Sequence, residues 1–100
     1  MEFLILFGFL VMLHLIGDYL FQTEFIASTK GENWYHLIVH SILYAVPFLF
    51  VVPDVKAILA LILTHIVIDA SKARYHLINY WEDQMLHYIV LLVMAYLMSI

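Results

Sequence analysis

The 100-residue chain is 66% hydrophobic and 12% charged, with a mean hydropathy of +1.00, a net charge of -4 and no cysteine. It is far more apolar than the near-even balance of a soluble domain, so a membrane protein is expected. The acidic balance argues against a nucleic-acid partner. Without cysteine, disulfides and thiolate metal sites are excluded, and only His, Asp, Glu and neutral oxygens remain as metal donors.

Four stretches come close to the roughly 20 residues that cross a hydrocarbon core as helix. They lie at about 3–22, 34–52, 56–76 and 83–100. The first carries His14, Asp18 and Gln22, and it is expected to stay as a helix because no cleavable signal peptide pattern is present. A polar connection over 23–33 follows, with Ser28, Thr29, Lys30 and Gly31. The second stretch opens on Trp34 and Tyr35, carries His36 and His40, and is expected to kink at Pro47. A tight turn at Pro53 and Asp54 leads to the third, with Thr64, His65, Asp69 and Ser71, then Lys72 and Arg74. The last connection, about 77–82, contains Asn79, Tyr80 and Trp81, and the fourth stretch opens on Asp83 and His87.

These elements predict an all-α polytopic membrane protein, a four-transmembrane-helix bundle forming one membrane domain over 1–100. Lys30, Lys72 and Arg74 fall on one side of it and only Lys56 on the other. The positive-inside rule therefore predicts multi-pass insertion in a bacterial inner membrane with both termini outside. Trp34, Tyr35, Tyr80 and Trp81 would stand at the cytoplasmic boundary.

His14, Asp18 and His36 recur 51 residues later as His65, Asp69 and His87, and Glu32 pairs with Asp83 in the same register. The bundle is thus expected to consist of two parallel-repeat helical hairpins, about 3–52 and 56–100, around an axis along the membrane normal. Each predicted helix holds two ligand-type residues four apart, which places both on one face. All four pairs would meet at one depth, where ionisable groups cost on the order of 2.5–3.5 kcal/mol each unless they share a partner. A divalent metal is such a partner, and mixed nitrogen and oxygen donors suit Zn, Mn, Fe or Co, as one ion or as two about 3.5–4 Å apart. The expected ligands are His14, Asp18, His36, His65, Asp69 and His87. His40 breaks the repeat, since position 91 is Leu, and with Asp83 it is the expected catalytic pair. Gln22, Lys30, Glu32, Lys72 and Arg74 are expected to bind substrate or orient ligands. The plainer alternatives are polar contacts between helices for single His and Asp residues, and interface anchors for Lys72 and Arg74.

The runs H-L-I-G-D-Y-L-F-Q-T-E-F-I-A-S-T-K, H-S-I-L-Y, T-H-I-V-I-D-A-S-K-A-R and D-Q-M-L-H resemble an uncharacterised family of small integral membrane proteins of bacteria and their phages, a domain of unknown function, over nearly the whole chain. More distantly, the pattern is similar to the inner-membrane metal-dependent hydrolase family. That likeness implies a hydrolase, with His14, Asp18, Gln22, Lys30, His40, His65, Asp69, Lys72, Asp83 and His87 as the matching positions. The second connection is very short, so a role for a larger outer loop is not carried over. The leading expectation is a metal-dependent hydrolase acting at the cytoplasmic interface on a lipid-linked or phosphoester substrate. Two others stand beside it: a binding or assembly module stabilised by a structural metal, and a divalent-metal or proton transporter. The expected partners are the lipid bilayer and a lipid or anionic small molecule, and a homo-oligomer is compatible with the short helices.

Overall fold

The computed structural model describes residues 2–100 and is built from five α-helices. Helix α1 spans Phe3–Leu15 and runs on as a π-helical turn over Ile16–Leu20. The short α2 covers Glu24–Thr29, where the sequence suggested only a polar connection. Thr23 starts it by accepting from the Ile26 amide at 3.2 Å. Helix α3, Trp34–Ala45, is capped by Asn33, which accepts from the amides of Tyr35 and His36. Pro47 has no amide to continue the ladder, and the chain tightens into a 3-10 stretch over Val46–Phe50.

Asp54 caps α4, Val55–Ala73, through the Lys56 amide at 2.9 Å. Helix α5, Tyr80–Ser99, begins three residues before the expected start because Asn79 and Glu82 form a reciprocal capping box. Glu82 is thus a helix-start residue with a defined partner.

The four-span bundle does not hold. Among the described residues, only Phe3–Leu20 is both long and apolar enough to cross a membrane, and the apolar helix Trp34–Phe50 is shorter than a span requires. Helix α4 has the length but carries Lys56, Asp69 and Lys72, and α5 opens on Glu82, Asp83 and Gln84. Asp69, Lys72 and Asp83 among them build the internal cluster, so residues that suggested a site also count against two of the four spans. The multi-pass arrangement, and the orientation counted on it, go with them.

Helix α1 packs on α5, α3 on α4, and α4 on α5. At one end the core is apolar, with Leu6, Leu10, Phe48, Val52, Leu61 and Leu91 buried. Toward the other end the interior becomes polar, and His14, His40, Ser41, His65, Asp69, Asp83 and His87 are all buried. The exterior is apolar instead, with Leu4, Phe9, Leu63, Val67 and Val93 exposed. At Gly17 the π-turn of α1 crosses α3 so closely that a Cβ would collide with the Tyr44 carbonyl. Only glycine fits that crossing.

Candidate metal centre

The cluster draws on four elements. Asp18 comes from the π-turn, His40 from α3, His65 and Asp69 from α4, and Asp83 and His87 from α5. The extra residue of the π-turn widens the helix where Asp18 must point inward, a placement typical of π-bulges at functional sites. His40 Nε2 lies 3.3 Å from Asp18 Oδ1 and 3.4 Å from Asp69 Oδ2, and His65 Nε2 lies 3.5 Å from Asp18 Oδ1. His87 Nε2 is 3.6 Å from Asp83 Oδ1. The His65 ring stands 4.8 Å from that of His40 and 4.7 Å from that of His87, centre to centre.

Hydrogen bonds assign the His65 tautomer. The Ser41 hydroxyl donates to the Leu37 carbonyl at 2.9 Å, so its lone pair faces His65 Nδ1 at 3.0 Å and accepts from it. Nδ1 therefore carries the proton, and Nε2 presents a bare lone pair to the Asp18 carboxylate. Burial pushes the His65 pKa down to about 4, which keeps the ring neutral. At Asp83 burial raises the pKa, but the neighbouring His87 ring and the charge of Lys72 outweigh it and hold the group below the usual carboxylate range.

Two electron-rich atoms facing each other without a proton between them are repulsive unless a cation stands there. Among the described residues, His40 Nδ1 and Nε2, His65 Nε2 and Asp83 Oδ1 are buried without a hydrogen-bond partner. The donor set suits a divalent ion. Ligands placed tetrahedrally about 2.1 Å from one ion lie about 3.4 Å from each other, close to the separations above. Two groups bring all their donor atoms within 4.8 Å: Asp18 with His65 and His87, and His65 with His40 and Asp69. His65 belongs to both.

Other expected ligands stand elsewhere. His14 is buried in the cluster, but both its nitrogens are committed: Nε2 donates to Gln84 Oε1 at 3.0 Å, and Nδ1 accepts from the Tyr44 hydroxyl at 2.8 Å. It orients its neighbours and has no lone pair free for an ion. His36 lies outside, bonded to Thr29 Oγ1 at 2.6 Å, with its ring against Phe25. Glu32 is exposed. Arg74 turns from the cluster to donate to the Gly31 carbonyl at 3.2 Å and to lie 4.3 Å over the Trp34 ring. Thr64 and Ser71 bond carbonyls of their own helix, not neighbouring helices.

Lys30 and Lys72 do reach the carboxylates. Lys30 Nζ sits 2.8 Å from Asp69 Oδ2 and donates to Gln22 Oε1 at 2.7 Å. Lys72 Nζ is 3.5 Å from Asp83 Oδ2 and 3.8 Å from Asp69 Oδ1. Three contributors had escaped notice in the sequence. Gln84 joins the halves of the cluster, its Nε2 donating to Asp18 Oδ2 at 3.1 Å and to Asp83 Oδ2 at 3.0 Å. Ser41 fixes the tautomer of His65, and Tyr44 donates to the remaining nitrogen of His14. Tyr44 follows His40 by four residues on the same helical face, a signal that extending the pair by one turn would have caught. Ser41 and Gln84 neighbour site residues in sequence and carry no periodicity signal.

No curated protein and no solved structure matches the chain. A family model does match residues 5–100, nearly the whole length, and the chain belongs to the family described as "Protein of unknown function (DUF3307)".

Proposed function

We propose that the chain is a metal-dependent hydrolase whose His/Asp cluster binds a divalent cation and acts on an amphipathic, anionic substrate of the lipid-linked or phosphoester type. The observation that carries this reading is the lone pair of His65 Nε2, fixed by Ser41 and aimed at the Asp18 carboxylate with no proton to bridge them. Donors are available in two overlapping groups, Asp18 with His65 and His87, and His65 with His40 and Asp69. A bound divalent ion would polarise a phosphoryl or carbonyl oxygen and lower the pKa of a water. Asp83, held ionised beside His87, is suited to orient that ring.

Two features favour an amphipathic substrate. An open groove of about 370 Å³ runs along α1 and α5, lined by Phe7, Tyr19, Tyr80, Gln84, Tyr88 and Leu92 among others, and Gln84 also touches the cluster. Three phenols, Tyr19, Tyr80 and Tyr88, line it together with apolar residues such as Phe7, Ile89 and Leu92. Lys72, with its side chain a quarter exposed, joins the buried carboxylates to the surface and could hold an anionic head. Phe3–Leu20, beside this groove, supports a lipid surface as partner. The motif likeness to inner-membrane metal-dependent hydrolases points the same way.

A second reading, an assembly module with a structural metal, is favoured by burial, since no donor side chain is more than 10% exposed. Elemental analysis of purified protein tests the shared premise: about one bound divalent ion per chain is expected, lost in His65→Ala. A folded wild-type protein without metal affinity would overturn both readings. Chelation then separates them. Loss of p-nitrophenyl phosphate hydrolysis at an unchanged melting temperature supports the enzyme, whereas melting under chelator supports the structural ion.

A further inference from the structure

The two donor groups overlap at a single atom. His65 has one free lone pair, because Nδ1 is committed to Ser41, and a lone pair binds one ion. The groups Asp18/His65/His87 and His40/His65/Asp69 therefore cannot both be complete. Something must decide between them.

Lys30 already stands at one. Its ammonium lies 2.8 Å from Asp69 Oδ2, the oxygen that also faces His40 Nε2 at 3.4 Å. An ammonium and a metal ion cannot share that place. The lysine is 5% exposed, so it is not a surface side chain that settled there. Gln22 holds its Nζ at 2.7 Å, and the following residue is pinned to the end of α4, where Arg74 donates to the Gly31 carbonyl and Gly31 packs against Ala73. The charge balance agrees. Three carboxylates are buried, Asp18, Asp69 and Asp83, and the ammoniums of Lys30 and Lys72 pair with the last two, which leaves one negative charge. A single divalent ion takes that balance to +1, while two would take it to +3.

We propose that Lys30 acts as a tethered cation that reserves Asp69, so that the chain takes one divalent ion, in the Asp18/His65/His87 group, and Lys30 selects that group over its overlapping rival. This rests on the metal reading above. The positions of Lys30 and of Asp69 thereby become determinants of metal selectivity, although neither would ligate the ion in the native chain.

Co²⁺ titration of the full chain, with absorption spectroscopy, tests this. Wild-type protein should take up about one Co²⁺ per chain, His87→Asn should lose it, and the double variant Lys30→Met/His87→Asn should regain it through the group that the lysine vacated. Adding Asp69→Asn to the double variant should abolish uptake again. A wild-type chain binding two ions, a His87→Asn variant that keeps its ion, or a folded double variant that fails to bind would overturn the proposal. Lys30→Met alone keeps the question answerable if the double variant does not fold. Its Co²⁺ spectrum should gain a second component, and a spectrum identical to wild type would overturn the selection by Lys30. No Co²⁺ uptake by folded wild-type protein would instead remove the metal reading itself.

Discussion

Helices α3 and α5 both start behind an asparagine cap, and an acid and a histidine correspond between them across 51 positions, yet only α5 delivers that pair to the cluster. Asp83 and His87 are buried among the ligands, whereas Glu32 is exposed and His36 bonds to Thr29. The difference lies in where each helix begins. Trp34 and Tyr80 are 46 residues apart, so the matching residues are offset by five positions, about one and a half turns. Counted from the helix starts, the places of Asp83 and His87 fall in α3 on Leu37 and Ser41, both fully buried. His40 stands beside them and enters the cluster in place of His36. A shared spacing in sequence carries chemistry into a site only if the caps that set the helix start share it too.

Substitutions at paired positions can break or sharpen this comparison. The largest effect is expected at Lys30, whose counterpart 51 residues on, Trp81, is 76% exposed. Lys30→Met strands the buried Asp69 carboxylate and should cost about 3–5 kcal/mol in denaturant unfolding of the metal-free protein, while Trp81→Ala should cost less than about 0.5 kcal/mol. Next is Gln84, the counterpart of the exposed cap Asn33. Gln84→Ala leaves His14, Asp18 and Asp83 each short of a bond and should cost about 3 kcal/mol, against about 1 kcal/mol for Asn33→Ala. Gly17→Ala should follow at about 1–3 kcal/mol, because the added methyl meets the Tyr44 backbone.

A change of comparable size is expected on acidification. His65, with its pKa pushed down to about 4, takes up its proton in the unfolded chain near pH 6.5 but resists it when folded. Stability is therefore fully present above about pH 6.5 and falls as pH drops toward 4. Asp83 acts in the same direction at lower pH, since its folded pKa is also depressed. Melting temperature measured from pH 7.5 to 4 should decline monotonically, and a rise below pH 6 would contradict a neutral His65. The smallest effect should be that of Glu32→Gln, near zero on both stability and metal uptake. His36→Ala should cost about 1 kcal/mol and leave metal uptake intact. If either removed the ion, the offset of 51 would describe the site after all.

Much of the chemistry was legible in one dimension. The absence of cysteine restricted the donors to nitrogen and oxygen, and four-residue spacings placed His14 with Asp18, His65 with Asp69 and Asp83 with His87 on common helical faces, because helical periodicity is local. All-helical structure followed from the four long apolar stretches. What remained hidden depends on neighbours distant in sequence. The tautomer of His65 depends on Ser41 reaching across from α3, the commitment of His14 on Gln84 and Tyr44, and the burial of Lys30 on the Gly31–Ala73 contact. The number of spans was misjudged for a related reason. Apolar composition is counted along the chain, but whether a helix holding three charges crosses a membrane or folds them inward is decided by the helices that surround it. The sequence alone thus determined which atoms were available to bind a cation, and only the tertiary structure decided which of them have a lone pair left to do so.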